Sequence, residues 1–312
     1  MRLVLAIAVQ YLLPLVCFPL LTRRGWAGKL SLIALYLPIA LSPCLIPARN
    51  PLPRALAAVS AIVICVKLFD VRRDVRRGAR PGWREFVAFL LNPFVHVRRS
   101  LPAEPRPSVR GDLLQVLGAA LGLAAGIILL RALFRVDWGG RPFFAEHVTK
   151  VVAFFLAVLS GLALAAASWR LLGGKGRDYM DNPVAARTPA DFWRRYNRNM
   201  HQFFLKDVLV SAGGLHHPAR ATLVVFGLSA LIHEYLFSIA IGRVQGYQTA
   251  FFLLQGFAVA ATARVKARGW SAAPWVAATL AFNLLSSVLF FASVNGLVPF
   301  YSNELPAWLG GW

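Results

Sequence analysis

The chain has 312 residues, 58% of them hydrophobic and only 15% charged, with a mean hydropathy of +0.58. Soluble domains run at about 45–50% apolar and about 25% charged, so an ordinary soluble globular protein is excluded and an integral membrane protein is indicated. A net charge of +21 would point to nucleic acid in a soluble chain. Here the arginines gather between apolar runs, where membrane topology and anionic head groups account for them, and no nucleic-acid partner is expected.

A membrane-spanning helix needs about 20 apolar residues, with a range of about 17–25. Eight such runs can be drawn, at 3–22, 30–48, 54–70, 112–134, 148–170, 219–242, 247–264 and 272–298. The third is the weakest, being short and closed by Lys67 and Asp70. The first has no small-residue cleavage site after it and is read as a retained helix. Cys17, Cys44 and Cys65 all fall inside apolar runs, with no metal-binding spacing, and are read as packing residues. The expected architecture is all-α: about eight transmembrane helices with interfacial amphipathic helices around a central reaction chamber, in one membrane domain over 1–312.

Basic residues set the expected orientation. Counted with the span edges they adjoin, the loops after the first, third, fifth and seventh runs hold 26 of the 34 Lys and Arg. The positive-inside rule puts those loops in the cytoplasm and both termini outside, in what is expected to be a bacterial inner membrane. Two of these loops, about 71–111 and about 171–218, are long. In the first, Trp83 to Leu91 reads as a short amphipathic helix suited to the membrane surface. In the second, Thr188-Pro189-Ala190-Asp191 has a capping hydroxyl, proline in the first turn and an acid three residues on, which predicts a helix over about 189–210.

The chemistry centres on His233, within the otherwise apolar run Ala221–Gly242. An ionisable group at membrane depth costs at least ~2.5–3.5 kcal/mol, so it is read as functional by default. At about 1.5 Å per residue it lies roughly 18 Å from the cytoplasmic start of its span. A low-dielectric site favours neutral imidazole, which can take a proton from a hydroxyl. A structural histidine bonded to a neighbouring helix and a proton relay with Glu234 are the other readings. Glu234 lies about 100° around the helix and is read chiefly as an arginine partner or a helix tie.

Asn197 and His201 are four residues apart, so on one continuous helix they share a face with Phe204 and Val208. Phe192, Trp193 and Tyr196 suit a helix at the interface. A carboxamide there can donate to a carbonyl oxygen and stabilise an oxyanion. Arg194, Arg195 and Arg198 suit phosphates, though positive-inside charge explains them nearly as well. His216 and His217 are read as loop residues, and His96 and His147 as span-edge residues without a partner signal.

Phe192-Trp193-x-x-Tyr196-Asn197-x-x-x-His201, followed by Ser229-Ala230-Leu231-Ile232-His233-Glu234-Tyr235, resembles the membrane-bound O-acyltransferase superfamily, over about 180–240. The similarity is greatest to the branch of wax synthases and sterol and diacylglycerol acyltransferases. It implies His233 as catalytic base and Asn197 as its partner at the acyl carbonyl, with His201 matching a histidine of the sterol and diacylglycerol enzymes. Tyr196 stands where tryptophan is usual. Asn197 and Ile232-His233-Glu234 differ from the His and Trp-His-Gly of polysaccharide and D-alanine acylating enzymes, which favours a small or lipophilic alcohol over an exported polymer.

The resemblance implies an acyl-CoA-dependent O-acyltransferase without a metal or bound cofactor. Its substrates would be acyl-CoA and a hydroxyl-bearing lipid or small molecule, with membrane lipids around it. Trp193, Tyr196, His201, Arg194, Arg195 and Glu234 are the expected substrate-binding residues. A proton-coupled transporter or lipid-handling protein using His233 and Glu234 is the alternative, and an inactive membrane scaffold is a third.

Overall fold

A computed structural model describes residues 1–98, 107–214, 216–269, 272–302 and 304–306, apart from the side chains of Asn199 and Gln202. Regular structure among these residues is helical: α1 (Arg2–Val16), α2 (Phe18–Leu21), α3 (Trp26–Leu41), α4 (Pro51–Arg76), α5 (Trp83–Leu91), α6 (Val109–Leu133), α7 (Phe143–Leu171), α8 (Pro189–Arg195), α9 (Arg198–Phe203), α10 (Pro218–Ile241), α11 (Tyr247–Thr262) and α12 (Ala272–Asn295). Single 3₁₀ turns cover Ser42–Leu45 and Pro183–Ala185, and a π turn covers Phe204–Leu209. This is an all-α, multi-pass membrane architecture.

Each of the eight expected spans contains helix, but only six helical segments among the described residues are long and apolar enough to cross a membrane. The first span is divided. Its helix stops at Val16 and restarts at Phe18, where Pro19 occupies a first-turn position that needs no N–H. At 15 and 16 residues, α1 and α11 fall short of the length that a hydrocarbon core of about 30 Å requires. The third span errs the other way. It runs as a helix for 26 residues, through Lys67 and Asp70 to Arg76.

By internal contacts the chain forms two compact units, Met1–Pro102 with Ile232–Gln245, and Ala103–Leu231 with Gly246–Trp312. In the first, Leu35, Ile39, Ile64, Leu68, Phe86 and Leu90 build a buried apolar core. The polar residues of α4 survive there because each serves another segment's backbone. The Lys67 ammonium donates to the carbonyls of Phe89 and Leu90 at 2.8 and 3.0 Å, satisfying the C-terminal end of α5. Asp70 accepts from the Arg98 N–H at 2.7 Å, and Arg72 donates to the Gly25 carbonyl at 2.8 Å. The amphipathic stretch Trp83–Leu91 is the helix expected, with Phe86, Phe89 and Leu90 turned inward.

In the second unit, α6 lies along α7 at a close approach set by Gly126, where a Cβ would come within 2.9 Å of the Ala157 backbone. The first turns of α7 hold a buried polar knot. Lys150 pairs with Glu146 and donates to the Phe300 carbonyl at 2.8 Å, while the Ser302 N–H donates to Glu146 at 2.6 Å. His147, which the sequence left without a partner, hydrogen-bonds Tyr301 at 2.6 Å and the Leu284 carbonyl at 2.8 Å. The two bonds set its tautomer. The Leu284 carbonyl can only accept, so Nε2 carries the proton and Nδ1 accepts from the phenol.

Candidate functional site

The segment from Thr188 begins as its sequence dictates. Thr188 Oγ1 accepts from the Asp191 N–H at 3.1 Å, and Pro189 fills the first helical position of α8. The helix then ends at Arg195, not at 210. Tyr196 is extended and Asn197 is left-handed, with φ of 45°, before α9 starts at Arg198. The expected continuous helix over 189–210, with Asn197, His201, Phe204 and Val208 on one stripe, is therefore corrected to two short helices and a π turn. Asparagine tolerates this left-handed conformation better than most residues. Asn197 is the N-cap of α9, its Oδ1 accepting from the Met200 N–H at 3.4 Å and its carbonyl from the His201 N–H at 3.0 Å. That leaves the amide NH₂ as the donor side of the carboxamide.

A strap of chain backs this break. The Arg198 N–H donates to the Tyr179 carbonyl at 2.8 Å, the Asn197 N–H to the Met180 sulfur at 3.3 Å, and the Asp181 N–H to the Arg195 carbonyl at 2.9 Å. None of these partners is visible as a sequence pattern.

The aromatics of the motif pack against one another and against neighbouring helices. The Trp193 ring meets Phe226 edge-on, with centroids 5.3 Å apart, and its Nε1 donates to Gln255 Oε1 at 2.9 Å. Tyr196 stacks on Phe192 at 5.3 Å and lies parallel to Phe155 at 6.2 Å. Because indole pairs an apolar body with one donor, it fits a core that offers a single buried acceptor.

Arg194 and Arg195 both pair with Asp191, Arg195 at 3.0 Å. Burial raises the Asp191 pKa, but the Arg187 N–H and the Arg195 and Arg194 guanidinium groups outweigh it and hold the carboxyl below its usual value. Arg194 remains largely exposed. His201 is half-buried, and burial, reinforced by the charges of Arg194 and Arg177, lowers its pKa, so its ring is neutral at pH 7.

His233 lies two-thirds of the way along α10, on the part that belongs to the first unit. It is half-buried, and its neighbours are tied down. The Tyr235 hydroxyl donates to the Ala40 carbonyl at 2.6 Å, and Glu234 Oε1 accepts from the Gln245 N–H at 3.1 Å. Glu234 thus spans the turn that follows α10, where Gly242 takes a φ of 88°. Trp193, Arg194, Arg195, Tyr196, Asn197 and His201 belong to the second unit. No group of three or more His, Cys, Asp or Glu among the described residues has metal-holding geometry.

Comparison with known proteins gives two likenesses. One is to the adenosylcobinamide-GDP ribazoletransferase of Corynebacterium glutamicum, 29% identical over 199 residues, which covers 51% of this chain and 64% of that protein. The chain thus spans less than two thirds of that relative's length. The other covers residues 127–294, more than half of the sequence and both motif segments, and by it the chain belongs to the membrane-bound O-acyltransferase family.

Proposed function

We propose that this membrane acyltransferase moves an acyl group from acyl-CoA to the hydroxyl of a lipophilic or small alcohol, in the manner of the wax synthase branch. The observation that carries the reading is a histidine deep in an apolar helix, inside the residues that match the family, followed by Glu234 and Tyr235, whose side chains each bond backbone.

In this reading the alcohol gives its proton to neutral His233 as its oxygen attacks the thioester carbonyl. The carbonyl oxygen becomes an oxyanion that the Asn197 amide stabilises. Collapse breaks the C–S bond, and the CoA thiolate leaves with the proton held on the imidazolium. No acyl-enzyme forms, so both substrates bind before chemistry. Arg194, Arg195 and His201 would meet the CoA moiety from the basic loop, and Trp193 and Tyr196 would wall the acyl chain. Glu234 would contribute by fixing the turn after His233. The arginine distribution supports a cytoplasmic side for the basic loops, and both termini lie outside if α1 and α11 cross the membrane as well as the six longer helices. In a chain that is 58% hydrophobic, 29% identity is within reach of shared apolar helices alone, so the ribazoletransferase name adds no acceptor to the proposal.

The test is acyl transfer by purified protein in detergent, with radiolabelled acyl-CoA and a panel of primary alcohols and sterols. Wild type should form ester and release CoA, and His233→Ala should lower turnover by ~10²–10⁴ while extracting normally. Full turnover by His233→Ala would overturn the assignment, and no ester with any acceptor would overturn the donor or acceptor class.

A further inference from the structure

We infer that Asp178 and Arg170 are positioning residues that hold Asn197 in its working conformation, an inference that rests on the acyl-transfer reading above. Arg170, in the last turn of α7, has a side chain only 8% exposed. Its Nε and Nη2 donate to Asp112 Oδ1 at 2.9 and 2.7 Å, and Nη2 also reaches Gln115 Oε1 at 3.0 Å. Its Nη1 donates to Asp178 Oδ1 at 3.0 Å, and Gln115 Nε2 donates to the same oxygen at 2.8 Å. Asp112 lies in the first turn of α6 and Arg170 in the last turn of α7, where each charge also suits the helix dipole. Asp178 is thereby pinned to the ends of two long helices.

The next three residues, Tyr179, Met180 and Asp181, are the ones that pair with Arg198, Asn197 and Arg195. The left-handed Asn197 is tolerated by asparagine but still uncommon, and its surroundings help to hold it. The strap from Asp178 to Asp181 supplies that hold. Its own rigidity comes from the Arg170 node, and the amide's aim is set through that chain of contacts.

Both bonds to Asp178 land on one oxygen, which gives a sharp test. Asp178→Asn keeps that acceptor and should retain near wild-type kcat. Asp178→Ala removes it and should lower kcat roughly 10- to 100-fold, with KM for acyl-CoA little changed, as expected when a reacting group is misplaced. Arg170 keeps its pairing with Asp112 in that variant, so the thermal midpoint should fall only slightly. Should Asp178→Ala fail to extract folded, Gln115→Ala removes one of the two bonds and should give a smaller loss in kcat.

The deciding measurement is a double-mutant cycle with Asn197→Gly. In the Asn197→Gly background, Asp178→Ala should cost nothing further in kcat. An equal fractional loss in both backgrounds would mean that Asp178 is a general structural tie. Wild-type kcat in Asp178→Ala, with Asn197→Gly impaired, would remove the positioning inference alone. Wild-type kcat in Asn197→Gly would remove Asn197 from the mechanism and the inference with it.

Discussion

Trp193 and Gln255 form a part-buried bond between the motif helix α8 and α11: indole Nε1 donates to the amide oxygen at 2.9 Å, and Gln255 Nε2 passes the connection to Ser286 Oγ at 2.8 Å. Both Gln255 and Ser286 are buried. The conspicuous tryptophan of the motif is thus a joint between helices, and its contact with substrate can only be as part of a wall.

Trp193→Phe should accordingly separate the bond from the bulk. It keeps an aromatic ring against Phe226 and Phe252 but orphans the Gln255 oxygen. A buried acceptor left unmade costs ~1–3 kcal/mol, and membrane-protein bonds lie toward the low end. A loss of thermal stability of that size with acyl transfer largely retained is expected. Trp193→Ala should be worse by several kcal/mol, since deleting a packed tryptophan typically costs ~3–5 kcal/mol. Unchanged melting of Trp193→Phe in detergent would refute the joint.

Glu234 is expected to act through its carbonyl-like oxygen and not through a proton. Glu234→Gln preserves an acceptor for the Gln245 N–H, so it should keep acyl transfer within a few-fold of wild type. Glu234→Ala, which frees the turn after α10, should be clearly slower. A proton relay through His233 and Glu234 demands the opposite, because glutamine cannot carry the proton. Transfer by Glu234→Gln at under a tenth of the wild-type rate would restore that alternative.

What the sequence made legible follows from the range of each interaction. The helices were legible because apolar length is a local property, and so was the start of α8, whose Thr188 cap and Pro189 sit side by side. The break at Asn197 was not, because it is imposed by residues 179–181 across a loop. One signal was nonetheless present: asparagine is a preferred N-cap, and Asn197 precedes Arg198-Asn199-Met200 in that role. The extent of α4 was misread for a different reason. Lys67 and Asp70 look like terminators on a hydropathy scale, whereas their charges are absorbed by the ends of other segments. The knot of His147 with Tyr301 joins residues 154 positions apart, and no spacing announces it.

His96 should make the protein acid-labile. Burial pushes its pKa down to about 4, the Lys67 charge pushes the same way, and a hydrogen bond with Pro93 opposes them. In the unfolded chain the ring takes its proton near 6.5. Its contribution to stability is therefore complete above pH 6.5 and declines as pH falls from there to about 4. The full interval corresponds to roughly 3 kcal/mol at 1.36 kcal/mol per pKa unit. Thermal midpoints in detergent between pH 7.5 and pH 4.5 should fall less for His96→Gln than for wild type. Parallel curves for the two proteins would show that this histidine does not carry the acid sensitivity.

Asn197 presents a difficulty that an alanine substitution cannot resolve, because two different losses would coincide. Alanine removes the amide, but it also removes the local side-chain bonding that lets asparagine tolerate a φ of 45°, a conformation that costs other L residues roughly 1–2 kcal/mol. Glycine adopts that conformation freely. Asn197→Gly therefore removes the side chain and keeps the break between α8 and α9, losing only the weak cap to Met200. If the amide stabilises charge on the thioester oxygen, Asn197→Gly should lower kcat by ~10²–10³ with a small change in thermal midpoint. Asn197→Ala should show the same fall in kcat together with a lower midpoint. Asn197→Asp keeps an oxygen to cap α9 but places negative charge where negative charge develops, so it should be stable and no faster than glycine. The three variants order differently on the two axes, and that pattern is the measurement. Were Asn197→Gly fully active while Asn197→Ala was slow, the residue's importance would lie in its backbone angle, and the oxyanion donor would have to be sought elsewhere.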